Sequence, residues 1–158
     1  MHIDKHDART HGAPMKRDPR TAAKYDRWLT RAVSILDGKG NGLGLPVLHA
    51  LAFRGHHGAM AELANRMTSP GNTAYDFRRG LALETRLAKE IGQSWVLENV
   101  ATSLRNHGDM IGFRLWLTRA AQLGEPEVIA EKRRCETRFP YEAMKRWGRY
   151  RPLRRDER

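Results

Sequence analysis

Apolar positions recur along this chain at three- and four-residue intervals, and polar, glycine-rich stretches interrupt them at short spacing. The clearest unit is 92–124. Val96, Leu97, Val100, Ala101 and Leu104 form one helical stripe. Met110, Phe113, Leu117, Ala120 and Ala121 form a second. Between them lies Asn106-His107-Gly108-Asp109, where asparagine and glycine suit a helix end and Asp109 suits the cap of the next helix. A two-helix hairpin of this kind has more apolar surface than it can cover alone, so it calls for similar hairpins on either side.

The same pattern predicts the other helices. One opens at Asp18-Pro19 and carries Tyr25, Trp28, Leu29, Ala32, Val33 and Leu36 on one stripe. A second starts at Pro46, with Val47, Leu48, Leu51 and Ala52 inward. A third spans 59–67, with Met60, Leu63, Ala64 and Met67 inward. Ser69-Pro70-Gly71-Asn72-Thr73 is a turn. A fourth helix is expected over 74–91, where Tyr75, Phe77, Leu81, Leu83, Leu87, Ala88 and Ile91 cannot all face one way, so it should be contacted from two sides. Beyond the central unit, Pro126 sits in the first turn of a helix running to Arg138. Pro140 ends it, and a closing amphipathic helix is expected over 141–150 with Tyr141, Met144, Trp147 and Tyr150 in register. No stretch sustains the alternation of a half-buried strand, and the fold class expected is all-α.

Glycines give the repeat. The run from Gly55 to Ala64 aligns with that from Gly92 to Ala101 at an offset of 37 residues, and Gly124 begins a third copy 32 residues later. Leu83 and Ala88 precede Gly92 as Leu115 and Ala120 precede Gly124, and Trp-Leu-Thr-Arg-Ala at 28–32 recurs at 116–120. Two-helix repeats with periods in the thirties indicate an α-solenoid. On these residues the chain resembles the Sel1-like repeats of the tetratricopeptide superfamily. Trp116-Leu-Thr-Arg-Ala-Ala-Gln-Leu-Gly124 is similar to their W-x-x-x-A-A-x-x-G signature. Ala59, Leu63 and Ala64, and Val96, Val100 and Ala101, fit the first helix. Asn106–Asp109 falls at the inter-helix turn. The resemblance covers about 47–135. It departs at Asn65 and Thr102, where leucine-glycine is usual, and at Lys89, which stands for an alanine. It implies a short right-handed α-solenoid of stacked hairpins that binds another protein and carries no catalytic residues or cofactor.

Composition adds limits. With 158 residues, 40% of them hydrophobic, the chain can build one domain with a core. A flexible arm is expected over 1–18, the helical-repeat domain over 19–150 and a basic tail over 151–158. No apolar run reaches the length of a membrane span and the first residues lack a signal-peptide core, so the expectation is a cytoplasmic protein without membrane partners. The lone Cys135 is read as a bystander. Net charge is +11, and residues 132–158 hold eleven bases against four acids. An acidic partner surface follows.

Candidate chemistry is sparse. The histidines and aspartates before residue 12 have no frame to hold a metal. The glycines at 38–44 lack the Gly-Lys-Ser/Thr ending of a phosphate loop and read as a connector. Histidines 49, 56, 57 and 107 are scattered, and no HExxH, CxxC or GxSxG occurs, so an enzyme is not expected. Partner contacts are assigned to His56, His57, Trp95, Asn99 and Arg105 on the helices expected to line a groove. A regulatory or toxin-neutralising role fits so small a basic scaffold. The alternative is nucleic-acid binding. One route to it uses Lys132, Arg133, Arg134, Lys145, Arg146, Arg149 and Arg151 interleaved with aromatics. The other is a winged-helix-like arrangement over 46–86.

Overall fold

The computed structural model describes residues 18–146, and these contain eight α-helices and no strand. The helices are α1 (Pro19–Leu36), α2 (Gly44–Phe53), α3 (His57–Thr68), α4 (Phe77–Ile91), α5 (Ser94–Asn106), α6 (Met110–Ala121), α7 (Pro126–Arg138) and α8 (Tyr141–Arg146). The all-α expectation holds for these residues. Residues 1–17 of the expected arm and all of the expected tail, with Trp147, Arg149, Tyr150 and Arg151, lie outside them.

Local chemistry sets the helix limits. Asp18 accepts from the Thr21 amide and Pro19 occupies the first position, as read from the sequence. Asp109, 3% exposed, accepts from the Gly112 amide at 2.7 Å and starts α6. The aligned glycines have a common cause. Gly55, Gly92 and Gly124 all have left-handed backbone (φ +71°, +66° and +88°), which ends one helix and turns the chain toward the next.

Two helix starts differ from expectation. α2 begins at Gly44, two residues before Pro46, because a proline in the first turn sacrifices no hydrogen bond. α4 begins at Phe77 rather than at 74. The turn after Ser69 runs longer, with Asn72 accepting from the Ala74 amide through its side chain and from the Tyr75 amide through its carbonyl. Asp76 then caps the helix by accepting from the Arg79 amide at 3.1 Å. The glycine-rich connector is also packed more closely than its composition suggests. A Cβ on Gly44 would lie 2.7 Å from the Ala32 carbonyl oxygen, so only glycine lets α2 close on α1 here.

Packing runs along the chain. Each helix from α1 to α7 packs against the next in sequence, and α8 returns to α6. The core is continuous: Leu48 and Leu51 of α2, Met60 and Leu63 of α3, Leu87 of α4, Val96 and Val100 of α5, Phe113 and Leu117 of α6, Val128 and Cys135 of α7, and Met144 of α8. α4 packs on both α3 and α5, in line with its two apolar sides.

Candidate functional site

α3 and α5 are separated by a groove of about 420 Å³ floored by α4. Its α3 wall includes Gly58, Ala61, Glu62, Asn65 and Ser69, and its α5 wall includes Asn99, Thr102 and Asn106. The walls correspond by the glycine offset: Glu62 with Asn99, Asn65 with Thr102 and Ser69 with Asn106 are each 37 residues apart. Both walls therefore come from equivalent helical positions. Most of the wall side chains are uncharged amides and hydroxyls, which both donate and accept hydrogen bonds.

Glu62 is an exception. It accepts from Arg66 Nε at 2.6 Å, and Arg66 also reaches Asp37 at 2.7 Å. Burial by itself would lower the Arg66 pKa, but its hydrogen bonds to Asp37 and Glu62 overcome this and raise it. The wall carboxylate is thus neutralised in place.

The floor holds Glu84, only 6% exposed. Its Oε1 accepts from Ser103 Oγ at 2.8 Å and Thr68 Oγ1 at 3.2 Å, so one residue each from α3, α4 and α5 meets at this point. Thr68 Oγ1 also faces the Ala64 carbonyl at 3.0 Å and the Asn65 carbonyl at 3.3 Å within α3, so its single proton is shared among three acceptors. Glu84 Oε2 is buried without a hydrogen-bond partner, and no cation among the described residues lies within ion-pair distance of the carboxyl. Burial pushes the Glu84 pKa up to about 7, against the lowering effect of the hydroxyls of Ser103 and Thr68.

The five residues assigned to partner contact separate. Asn99 lines the groove. Trp95, 47% exposed, stands one turn before it on α5 and donates through Nε1 to Gln93 Oε1 at 2.6 Å. His56 is turned inward, its side chain 12% exposed: Nδ1 accepts from the Ala59 amide to cap α3, and Nε2 lies 3.0 Å from Asp26 Oδ1 on α1. His57 reaches Glu90 of α4 at 3.4 Å. Arg105 faces α7, 3.8 Å from Glu131 and over the Phe113 ring. Trp95 and Asn99 thus lie one turn apart on α5, while His56 turns toward α1, His57 toward α4 and Arg105 toward α7. Glu84, Thr68 and Ser103 were not singled out from sequence. Nor was the stacking of Phe77 on His107, with ring centroids 3.7 Å apart.

Three of the six described bases of α7 and α8 have acidic neighbours. Lys132 and Arg114 approach Glu136, Arg134 pairs with Glu131, and Lys145 with Glu142. Arg133 and Arg146 are exposed. The aromatics between them carry cations of their own: Arg114 and Lys145 lie over Tyr141, and Arg138 over Phe139. Over 46–86 the chain forms three helices without strands, so no wing follows there within the described residues. Cys135 is buried, and burial, then Glu131 and Glu136, raise its pKa, which keeps the thiol protonated.

A second depression, about 350 Å³, lies between α1 and α2 beside Trp28, Ile35, Leu43, Val47 and Leu51. It is apolar and belongs to one hairpin. No group of three or more metal-ligating side chains occurs, and no helix is long and apolar enough to cross a membrane, among the described residues. No protein-family model, curated protein or solved structure matches the chain.

Proposed function

We propose that this protein is an interaction scaffold, a short right-handed stack of helical hairpins in the manner of Sel1-like repeats. In this reading it holds an extended segment of another protein along the groove between α3 and α5. The observation that carries the reading is the composition of the groove walls. Residues 37 apart face the same space, and most present amide and hydroxyl groups. An extended peptide offers an N–H and a C=O at every residue, and Asn65, Asn99 and Asn106 can answer both. A partner with an acidic surface suits the chain's net charge of +11. Lys132, Arg134 and Lys145 are ion-paired and Tyr141 and Phe139 already carry cations, which leaves less of α7 and α8 for a nucleic-acid strand to engage.

The test is affinity purification from the source cell, with and without nuclease, using the natural chain and the double variant Asn99→Arg, Thr102→Arg. Both side chains are exposed on α5, so the variant should fold. A protein captured by the natural chain, resistant to nuclease and lost with the variant, is expected. Capture of nucleic acid alone, with affinity falling steeply as salt rises, would sink the reading.

A further inference from the structure

The groove floor carries a carboxyl group that the rest of the molecule leaves incomplete. Glu62, in the wall, is matched by Arg66, whereas Glu84 meets only two hydroxyls, both on Oε1, and its Oε2 has no partner. Among the described residues, bases outnumber acids, yet none approaches it. An unpaired buried carboxylate is costly, and a cation from outside would remove that cost as protonation does.

We propose that the groove takes a primary ammonium group, with Glu84 as its counter-ion and the Thr68 and Ser103 hydroxyls as neighbouring acceptors. The inference deepens the scaffold reading and rests on it for the source of the ammonium: a lysine side chain of the bound segment. A guanidinium would want both carboxylate oxygens, and Oε1 is already engaged by two hydroxyls. An ammonium is a compact donor that can use the remaining oxygen. Ala61, Leu87 and Val96 line the same groove and can sheathe a methylene stem. Glu84 lines the groove, and its Oε2 has no hydrogen bond to give up as an ammonium approaches. The charged groups on the helices packed against α4 are otherwise occupied or elsewhere: Arg66 with Glu62, His57 with Glu90 and Arg105 beside Glu131, while Glu98 accepts from Ser94.

The experiment titrates the full chain, by amide NMR shifts of the groove residues, with four probes at up to millimolar concentration. Three are capped Gly-Ala peptides with a central lysine, acetyl-lysine or arginine, and the fourth is 1,5-diaminopentane. The lysine peptide is expected to bind at least tenfold more tightly than its acetyl-lysine and arginine counterparts. Its affinity should rise roughly tenfold from pH 6 to pH 8 as Glu84 ionises. Glu84→Gln, which keeps the shape and the acceptor for Ser103, should abolish both the preference and the pH dependence. If the diamine equals the lysine peptide, the ammonium site stands with a small free amine as its source; if it binds more weakly, the source is a protein segment. Equal binding of lysine and acetyl-lysine peptides, or a lysine preference unchanged in Glu84→Gln, would overturn the proposal. So would the absence of groove shifts with any amine. A protein partner still captured through the Asn99 and Thr102 wall would then leave the scaffold reading intact.

Discussion

Glu84 behaves oppositely to most surface acids. Its folded-state pKa of about 7 lies above the ordinary value of 4.5, so the native chain holds this proton more tightly than the unfolded one. The stability it contributes is full below about pH 4.5 and is lost as pH rises through 7. Relative to low pH, the protein has lost about 3 kcal/mol of this stability at pH 8 and under about 1 kcal/mol at pH 5. Glu84→Gln should therefore stabilise the free protein at pH 8 by up to about 3 kcal/mol, and much less at pH 5. Urea denaturation at the two pH values checks this, and an equal shift at both would contradict it. Ser103→Ala removes the 2.8 Å hydrogen bond and should cost roughly 1–3 kcal/mol at pH 8, where the carboxylate then loses a donor.

Glu84 was legible in part. Phe77, Gly80, Leu87 and Ala88 are the other buried residues of α4, and Glu84 falls within their stripe. A charged side chain amid apolar spacing was the available signal. What sequence withholds is the pairing of Glu84 with Thr68 and Ser103, 16 and 19 residues away, because the packing of helices decides it. His56 shows the reverse case. Beside His57 it reads as a surface histidine, but a nitrogen that accepts from Ala59 and another that reaches Asp26, 30 positions earlier, draw it inward.

At the scale of elements, helix existence was plain and helix starts were less so. Asp76 is a good cap in its own right, yet Tyr75 and Phe77 extend the apolar pattern across it, and periodicity alone places the start of α4 too early. The close approach of α3 to α4 depends on Gly80. A Cβ there would lie 2.7 Å from Thr68 Cγ2 and 2.8 Å from Met67 Cβ. Gly80→Ala gains up to about 1 kcal/mol of helix propensity but must push the helices apart, at a cost of about 1–3 kcal/mol. Net destabilisation is expected. The disturbance falls on Thr68, so amide shifts at Ser103 should follow even though the mutation lies on another helix. For α6, Asp109→Ala leaves the buried Gly112 amide without its acceptor and should cost about 1–2 kcal/mol, read as a lowered denaturation midpoint.

For the molecule as a whole, charge and shape separate. Three of the six bases of α7 and α8, Lys132, Arg134 and Lys145, pair with acids on their own helices, and such exposed pairs contribute at most about 1 kcal/mol each. They make the surface mixed rather than uniformly positive. The groove is lined by no base, and of its two carboxyl groups Glu62 is matched by Arg66, so Glu84 alone stands there against the sign of the chain as a whole. Composition showed the overall sign at once. The local reversal became visible only when α3, α4 and α5 were placed together.

The neighbour-by-neighbour packing from α1 to α7 also bears on how the chain would yield to force. Few of its main contacts tie distant parts of the chain, so a pull on the two termini has no single latch to break. In an optical trap, extension should proceed as a series of small yielding steps as outer helices detach, rather than as one abrupt rupture.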